Sequence, residues 1–234
     1  IDFTPPDGMV TDLSALAAAG ERGVLALMCE STNVERPGYT MSESKVAATF
    51  AEQIGTAAGR VIIAMFSSNV NRVQQVADCA MQYGRKVCFV GRSMINVSTV
   101  AMELGLLEIP RDSLIEIDEI DHYRDDQLLV ITTGSQGEPM SGLTRMAFSE
   151  HRKLKIKPSD KVIMSSTPIP GNEVYVSRVI NQLYRCGAEV IYDTMAEVHV
   201  SGHACQEEIK LMHTLARPKY VIPVHGEYRM LWQH

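Results

Sequence analysis

Short apolar runs alternate with longer amphipathic stretches along most of the chain. Residues 24–28, 61–65, 87–90, 128–132, 162–164 and 190–192 are rich in Val, Ile, Leu and Met and are bounded by Gly or polar residues. Runs of this length and content predict buried strands. The stretches between them have helical length, and Gly84, Gly105 and Gly187 stand where helices would stop, because Gly tolerates the left-handed conformation past a helix end. Thr40-Met41-Ser42-Glu43 fits a capping box, with Thr40 as N-cap and Glu43 three residues on, and predicts a helix reaching Gly59. Strand–helix alternation with short connections predicts an α/β class, a doubly wound, Rossmann-like parallel sheet. In such sheets ligands gather beyond the carboxyl ends of the strands. The turns rich in Ser, Gly, Asn and Thr all fall at that edge.

Two stretches break the rhythm. Residues 106–127 are acidic and irregular. After residue 192 the pattern gives a His-rich segment, an amphipathic helix over 205–216, a stop at Pro218 and a strand over 219–224. No apolar run approaches the roughly 18 residues of a membrane span, so no membrane partner is expected. The start, Ile1-Asp2-Phe3-Thr4-Pro5-Pro6, has neither a basic region nor a small-residue cleavage site, and no signal peptide is expected.

Charge and cysteine usage narrow the function classes. The formal net charge is −6 over 234 residues, which argues against broad electrostatic attraction to nucleic acid. Any such contact must be local. The five cysteines, Cys29, Cys79, Cys88, Cys186 and Cys205, are scattered and form no Cys-x-x-Cys pair, which reads as reduced thiols in a cytoplasmic protein.

The candidate chemistry is concentrated near the C-terminal side. His199-Val200-Ser201-Gly202-His203 precedes a helix whose first amides and dipole suit a phosphate, and Gly202 would let the backbone approach an anion. The same residues also read as a helix start capped by Ser201 with two surface histidines. His225 ends an apolar strand before Gly226, the place for a metal or substrate ligand or for a strand-end His with one hydrogen bond. One His is no zinc site by itself. Glu30 ends its own strand, where a carboxylate orients a ligand His or simply closes a turn. Gly134-Ser135-Gln136-Gly137-Glu138-Pro139 is a glycine-rich turn able to form a nest of amides for phosphate, although it is neither a Walker loop nor a dinucleotide fingerprint. Arg72, after Phe66-Ser67-Ser68-Asn69, is placed to meet a phosphate with Phe66 stacking on a base; the bland reading is Phe66 in the core and Arg72 solvated. His122, His151, His213 and His234 have no partner at ligand spacing and read as ordinary polar residues.

Taken in order, Glu30-Ser31-Thr32-Asn33, Thr40-Met41-Ser42-Glu43, Ser68-Asn69 with Arg72, Thr133 to Met140, His199-Val200-Ser201-Gly202-His203 and Pro223-Val224-His225-Gly226-Glu227 resemble the ribonuclease J family across the whole chain. That family belongs to the β-CASP branch of the metallo-β-lactamase superfamily. The resemblance implies residues 1–40 in the hydrolase core, 41–198 as the β-CASP insert and 199–234 as the return into the core. It implies Glu30 and His203 as catalytic residues and His225 as a metal ligand. Substrate contacts would come from His199, Ser201, Gly202, Ser68, Asn69 and Arg72, and Ser135, Gln136 and Gly137 would lie near a 5′-monophosphate pocket. It further implies two Zn2+ in the intact enzyme, with Mn2+ or Mg2+ as substitutes. The partner would be single-stranded RNA, preferably 5′-monophosphorylated, cut in 5′-to-3′ exonuclease and endonuclease modes during ribosomal RNA processing and RNA decay. A dimer, tetramer or paralogue assembly is expected. The family's His-x-His-x-Asp-His motif is not in these residues and is expected upstream of Ile1, so the 234 residues alone are expected to be inactive. The rival readings are a non-catalytic RNA-binding or assembly module, a DNA-directed β-CASP nuclease, and a Rossmann-type enzyme, which Met28 to Asn33, with no Gly, disfavours.

Overall fold

In chain order the elements are α1 (Leu13–Arg22), β1 (Ala26–Glu30), α2 (Ser44–Gly55), β2 (Val61–Ala64), α3 (Val70–Gln82), β3 (Lys86–Val90) and α4 (Arg92–Glu103). They continue with β4 (Leu128–Thr132), α5 (Gly142–Ala147), β5 (Lys161–Met164), α6 (Glu173–Arg185), β6 (Glu189–Ile191), α7 (Gln206–Ala216), β7 (Tyr220–Val224) and α8 (Tyr228–Gln233). The computed structural model describes all 234 residues. They divide into two units, residues 45–199 and residues 1–44 with 200–234.

The unit formed by residues 45–199 holds a five-stranded parallel sheet in the order β3-β4-β2-β5-β6. Chain order reverses about β2, as a doubly wound sheet requires. Every residue of β2, β4 and β5 is buried, which is why residues 61–64, 128–131 and 162–164 read as unbroken apolar runs rather than alternating ones. Ile62, Val130, Leu143, Met146, Val162, Val179 and Leu183 form the core on one side. Burial of each such side chain stabilises by about 1.5–3 kcal/mol.

Two buried arginines serve this framework. Arg60 grips Asp160 through Nε and Nη2 at 3.1 and 2.7 Å. Arg85 donates to the carbonyls of Ile54, Ala57, Gly59 and Leu128. It thereby satisfies carbonyls that the end of α2 leaves unpaired.

The unit formed by residues 1–44 and 200–234 holds the parallel pair β1–β7. Helix α1 packs so closely on the end of α7 that a Cβ at Gly20 would lie 2.0 Å from the Leu215 carbonyl oxygen. The register sets Glu30 opposite Val224, so the ends of both strands deliver Glu30 and His225 to the same edge.

The 106–127 stretch is irregular as expected, containing two short 3-10 turns, Ile117–His122 and Asp125–Gln127. The capping box at Thr40 does not form. Thr40 instead gives its hydroxyl and amide to Glu208 at 2.7 and 2.8 Å, and α2 begins later, at Ser44, and ends at Gly55 rather than Gly59. Gly59 has another role: a Cβ there would meet the Ser159 carbonyl oxygen at 2.1 Å. Helices α1 and α8 lie outside the elements that the hydrophobic pattern predicts. A signal for α1 is present in Asp12, whose carboxylate accepts from the Ala15 amide at 2.8 Å, and in the Ala-rich run behind it.

Candidate metal and phosphate site

Within the unit that carries β1 and β7, Glu30, His203 and His225 come together from positions far apart in sequence. Their candidate ligand atoms all lie within 4.8 Å of one another. Glu30 Oε2 faces His203 Nδ1 at 3.3 Å and His225 Nδ1 at 4.0 Å, and the two imidazoles stack with centroids 5.3 Å apart. The carboxylate is fixed by the Ala204 amide at 2.8 Å and the Thr32 amide at 3.0 Å. Burial pushes the Glu30 carboxyl up, but these amide bonds, the Thr32 hydroxyl and His203 together outweigh it and hold the pKa below the usual range. Glu30 is therefore an anion at neutral pH. With His203 Nδ1 turned to this carboxylate, Nε2 of His203 is left to act on something else.

The loops around this cluster are built to hold it. Asn33 Nδ2 donates to Ser201 Oγ and to the His203 carbonyl, both at 3.0 Å. Thr40 Oγ1 also donates to that carbonyl at 2.9 Å. Ser201 accepts from the His203 amide at 3.2 Å, so it braces its own loop and is not the cap of α7. His225 adopts φ 54°, a costly conformation for a non-glycine residue. It is held there by Thr32, whose hydroxyl donates to the His225 carbonyl at 3.0 Å and lies 3.0 Å from its Nδ1. The result is an exposed His225 (67%) beside a partly exposed His203 (41%) and a recessed Glu30 (29%).

The second group of sequence candidates lies in the unit formed by residues 45–199. Asn69 caps α3, accepting from the Arg72 amide at 3.1 Å, and Ser68 is exposed in the turn before it. Arg72 is 1% exposed, so it is neither solvated nor presented to a phosphate. Its Nη1 reaches the Ser165 carbonyl at 3.1 Å and His199 Nδ1 at 2.9 Å. Burial and then the Arg72 charge push the His199 pKa down to about 4. His199 is therefore neutral at pH 7 and brings no positive charge to a phosphate. Two amides of the Ser135-Gln136-Gly137 turn are already used: that of Gln136 meets Glu138 Oε2 at 3.3 Å and that of Gly137 meets the Gly134 carbonyl at 3.1 Å. The buried Gln136 side chain ties this turn to the next, bonding Ser166, the Thr167 carbonyl and the Ile169 amide.

Three residues that the sequence reading passed over also converge. Cys29, His213 and His234 place their candidate ligand atoms within 4.8 Å of one another, which corrects the expectation that His213 and His234 lack a partner at ligand spacing. They come from β1, α7 and the end of α8, and no spacing in the sequence announces them.

Fold and site together define a class. A doubly wound parallel α/β unit, in one chain with a unit that sets a carboxylate against two histidines, is the arrangement of β-CASP proteins in the metallo-β-lactamase superfamily. Comparison with known families gives the ribonuclease J β-CASP domain over residues 58–183 and the Zn-dependent metallo-hydrolase RNA specificity domain over residues 188–234. The chain belongs to the ribonuclease J family. It is 50% identical to ribonuclease J of Thermus thermophilus over 229 residues, 98% of this chain and 40% of that protein. It is 49% identical to ribonuclease J of Helicobacter pylori over 234 residues, all of this chain and 34% of that protein. It is 45% identical to ribonuclease J2 of Bacillus subtilis over 233 residues, which make up 42% of the relative. The chain thus spans 34–42% of the length of these three relatives.

Proposed function

We propose that this chain is the RNA-gripping portion of a metal-dependent ribonuclease that cuts phosphodiesters in 5′-to-3′ exonuclease and endonuclease modes, in RNA maturation and decay, in the cytoplasm. One observation carries the reading: Glu30, His203 and His225 lie together at the ends of β1, the segment before α7 and β7, with donor atoms within 4.8 Å. An imidazole is a donor type that Zn2+ accepts, and the carboxylate and second imidazole beside it are groups that orient a ligand and move a proton, so the cluster fits one side of the metal centre that the family implies. His225, the most exposed of the three, would be the direct ligand. A zinc ion held there by His225 would supply a more acidic water and offset phosphate charge.

The protein's own groups do the rest. Glu30 faces His203 Nδ1 at 3.3 Å and so orients the ring, which leaves Nε2 to hand a proton to the departing oxygen. Ser201 and Gly202 form the adjacent loop, where an open backbone lets a phosphate approach. A single cluster with one committed metal ligand does not complete a two-metal centre, which needs three or four protein ligands per zinc. The 234-residue chain is therefore an RNA binder without appreciable cleavage, and assembly into homo-oligomers or with a paralogue belongs to the intact enzyme.

The test is direct. The purified chain with Zn2+ or Mn2+ is expected to bind 5′-monophosphorylated single-stranded RNA more tightly than DNA of the same sequence and to leave it intact. Robust cutting that His225→Ala abolishes would show that these residues alone complete the centre. Equal affinity for DNA, or no RNA binding by folded protein, would end the RNA reading.

A further inference from the structure

We propose that Cys29, His213 and His234 form a second, separate zinc-binding site, with one thiolate and two imidazoles as ligands and a fourth position open. It goes beyond the nuclease reading and uses none of that cluster's residues. Successive side chains of a strand leave on opposite faces, so Cys29 and Glu30 diverge from β1 although they are neighbours.

The geometry has the features of a ligand set and not of three chance neighbours. His213 Nε2 and His234 Nε2 point at each other 3.0 Å apart, with ring centroids separated by 5.1 Å. Two neutral imidazoles in that pose share one proton between two lone pairs, the same two lone pairs a cation would take. Bond lengths of about 2.0–2.1 Å to nitrogen and 2.3 Å to sulfur put donor atoms on a tetrahedral zinc roughly 3.3–3.6 Å apart. The three donors here already lie within 4.8 Å, a difference that small side-chain rotations close.

The pair is also oriented from behind. Ser31 Oγ, fully buried, lies 3.0 Å from His234 Nδ1, which fixes the ring so that Nε2 faces His213. This is the supporting contact that ligating histidines usually carry on their second nitrogen. Burial and the neighbouring His213 push the His234 pKa down. Burial and then the Glu30 charge push the Cys29 thiol up. A thiol binds a cation as its thiolate, so occupancy displaces a proton and affinity rises with pH. Thiolate plus imidazole favours zinc over Mg2+ or Mn2+, which prefer oxygen donors.

Cobalt reports the site without any enzymatic readout. Titrated with Co2+, the folded chain is expected to develop a thiolate-to-cobalt charge-transfer band in the near ultraviolet that saturates at one ion per chain. Cys29→Ser, nearly isosteric, removes the band; Glu30→Gln keeps it; His213→Gln weakens cobalt binding at least tenfold. In the unmodified protein, saturating Zn2+ slows iodoacetamide labelling of Cys29, located by peptide mass mapping, at least tenfold. A folded chain that shows no band, a band that persists in Cys29→Ser, or Cys29 labelling indifferent to Zn2+ would overturn the proposal. The two histidines would then be a self-satisfied hydrogen-bonded pair.

Discussion

Arg72 shows how a single residue changes meaning once folded. An arginine at the start of a helix beside serines looks like a phosphate ligand, yet this one is fully buried and knits Ser165 to His199. Removing it strips donors from the Ser165 carbonyl and His199 Nδ1 and leaves a cavity, so Arg72→Ala should cost about 2–4 kcal/mol, read as a lowered denaturation midpoint. The same contact makes His199 a stability sensor. Its pKa falls from the ordinary 6.5 to about 4 on folding, so between those values the unfolded chain binds the proton that the folded chain refuses. Stability is fully present above pH 6.5 and declines as pH falls toward 4. A histidine-resolved NMR titration should place the His199 transition near 4, and His199→Gln should flatten the urea midpoint across that window. A His199 transition near 6.5 would contradict the buried contact.

Glycines separate packing from function at the level of elements. Gly20 lets α1 meet α7, and an added Cβ would strike the Leu215 carbonyl oxygen at 2.0 Å, a backbone atom that must shift as a whole. Gly20→Ala should destabilise by about 1–3 kcal/mol, lowering the melting temperature by several degrees. Gly202 is the opposite case: nothing lies within 4 Å of its added Cβ and its φ is not left-handed. Gly202→Ala should change stability by no more than about 0.5 kcal/mol, yet weaken RNA binding severalfold if a phosphate comes close to that backbone. Unchanged binding would remove Gly202 from the interface. Elements of this kind are readable from sequence to different degrees. The sheet strands are legible because burial on both faces leaves an unbroken apolar run, as in residues 128–131. The start of α2 is misread because a distant residue, Glu208, competes for Thr40. The motifs around Glu30, His203 and His225 are visible as motifs, whereas Cys29 with His213 and His234 is not, since parallel pairing and helix packing alone bring such distant positions together.

At the scale of all 234 residues, charge constrains how the proposed RNA partner could be held. The chain carries 22 Lys and Arg against 28 Asp and Glu, a net −6, and the arginine best placed by sequence is buried. Binding by a broad basic groove would release many counterions; eight phosphate contacts on a single strand give a log–log salt slope near −5.6, at roughly −0.7 per contact. Raising salt from about 50 to 200 mM would then cost more than a thousandfold in affinity. Backbone amides, neutral histidines and hydroxyls release few ions, and two or three charged contacts give a slope of about −1.4 to −2.1 and a loss of about tenfold over the same range. Fluorescence anisotropy with 5′-monophosphorylated RNA at several salt concentrations distinguishes the two. A shallow slope with preserved preference for RNA over DNA fits recognition through local backbone and 2′-hydroxyl contacts. A steep slope would mean that a cationic surface supplied by an assembled partner, and not the loops described above, provides the grip.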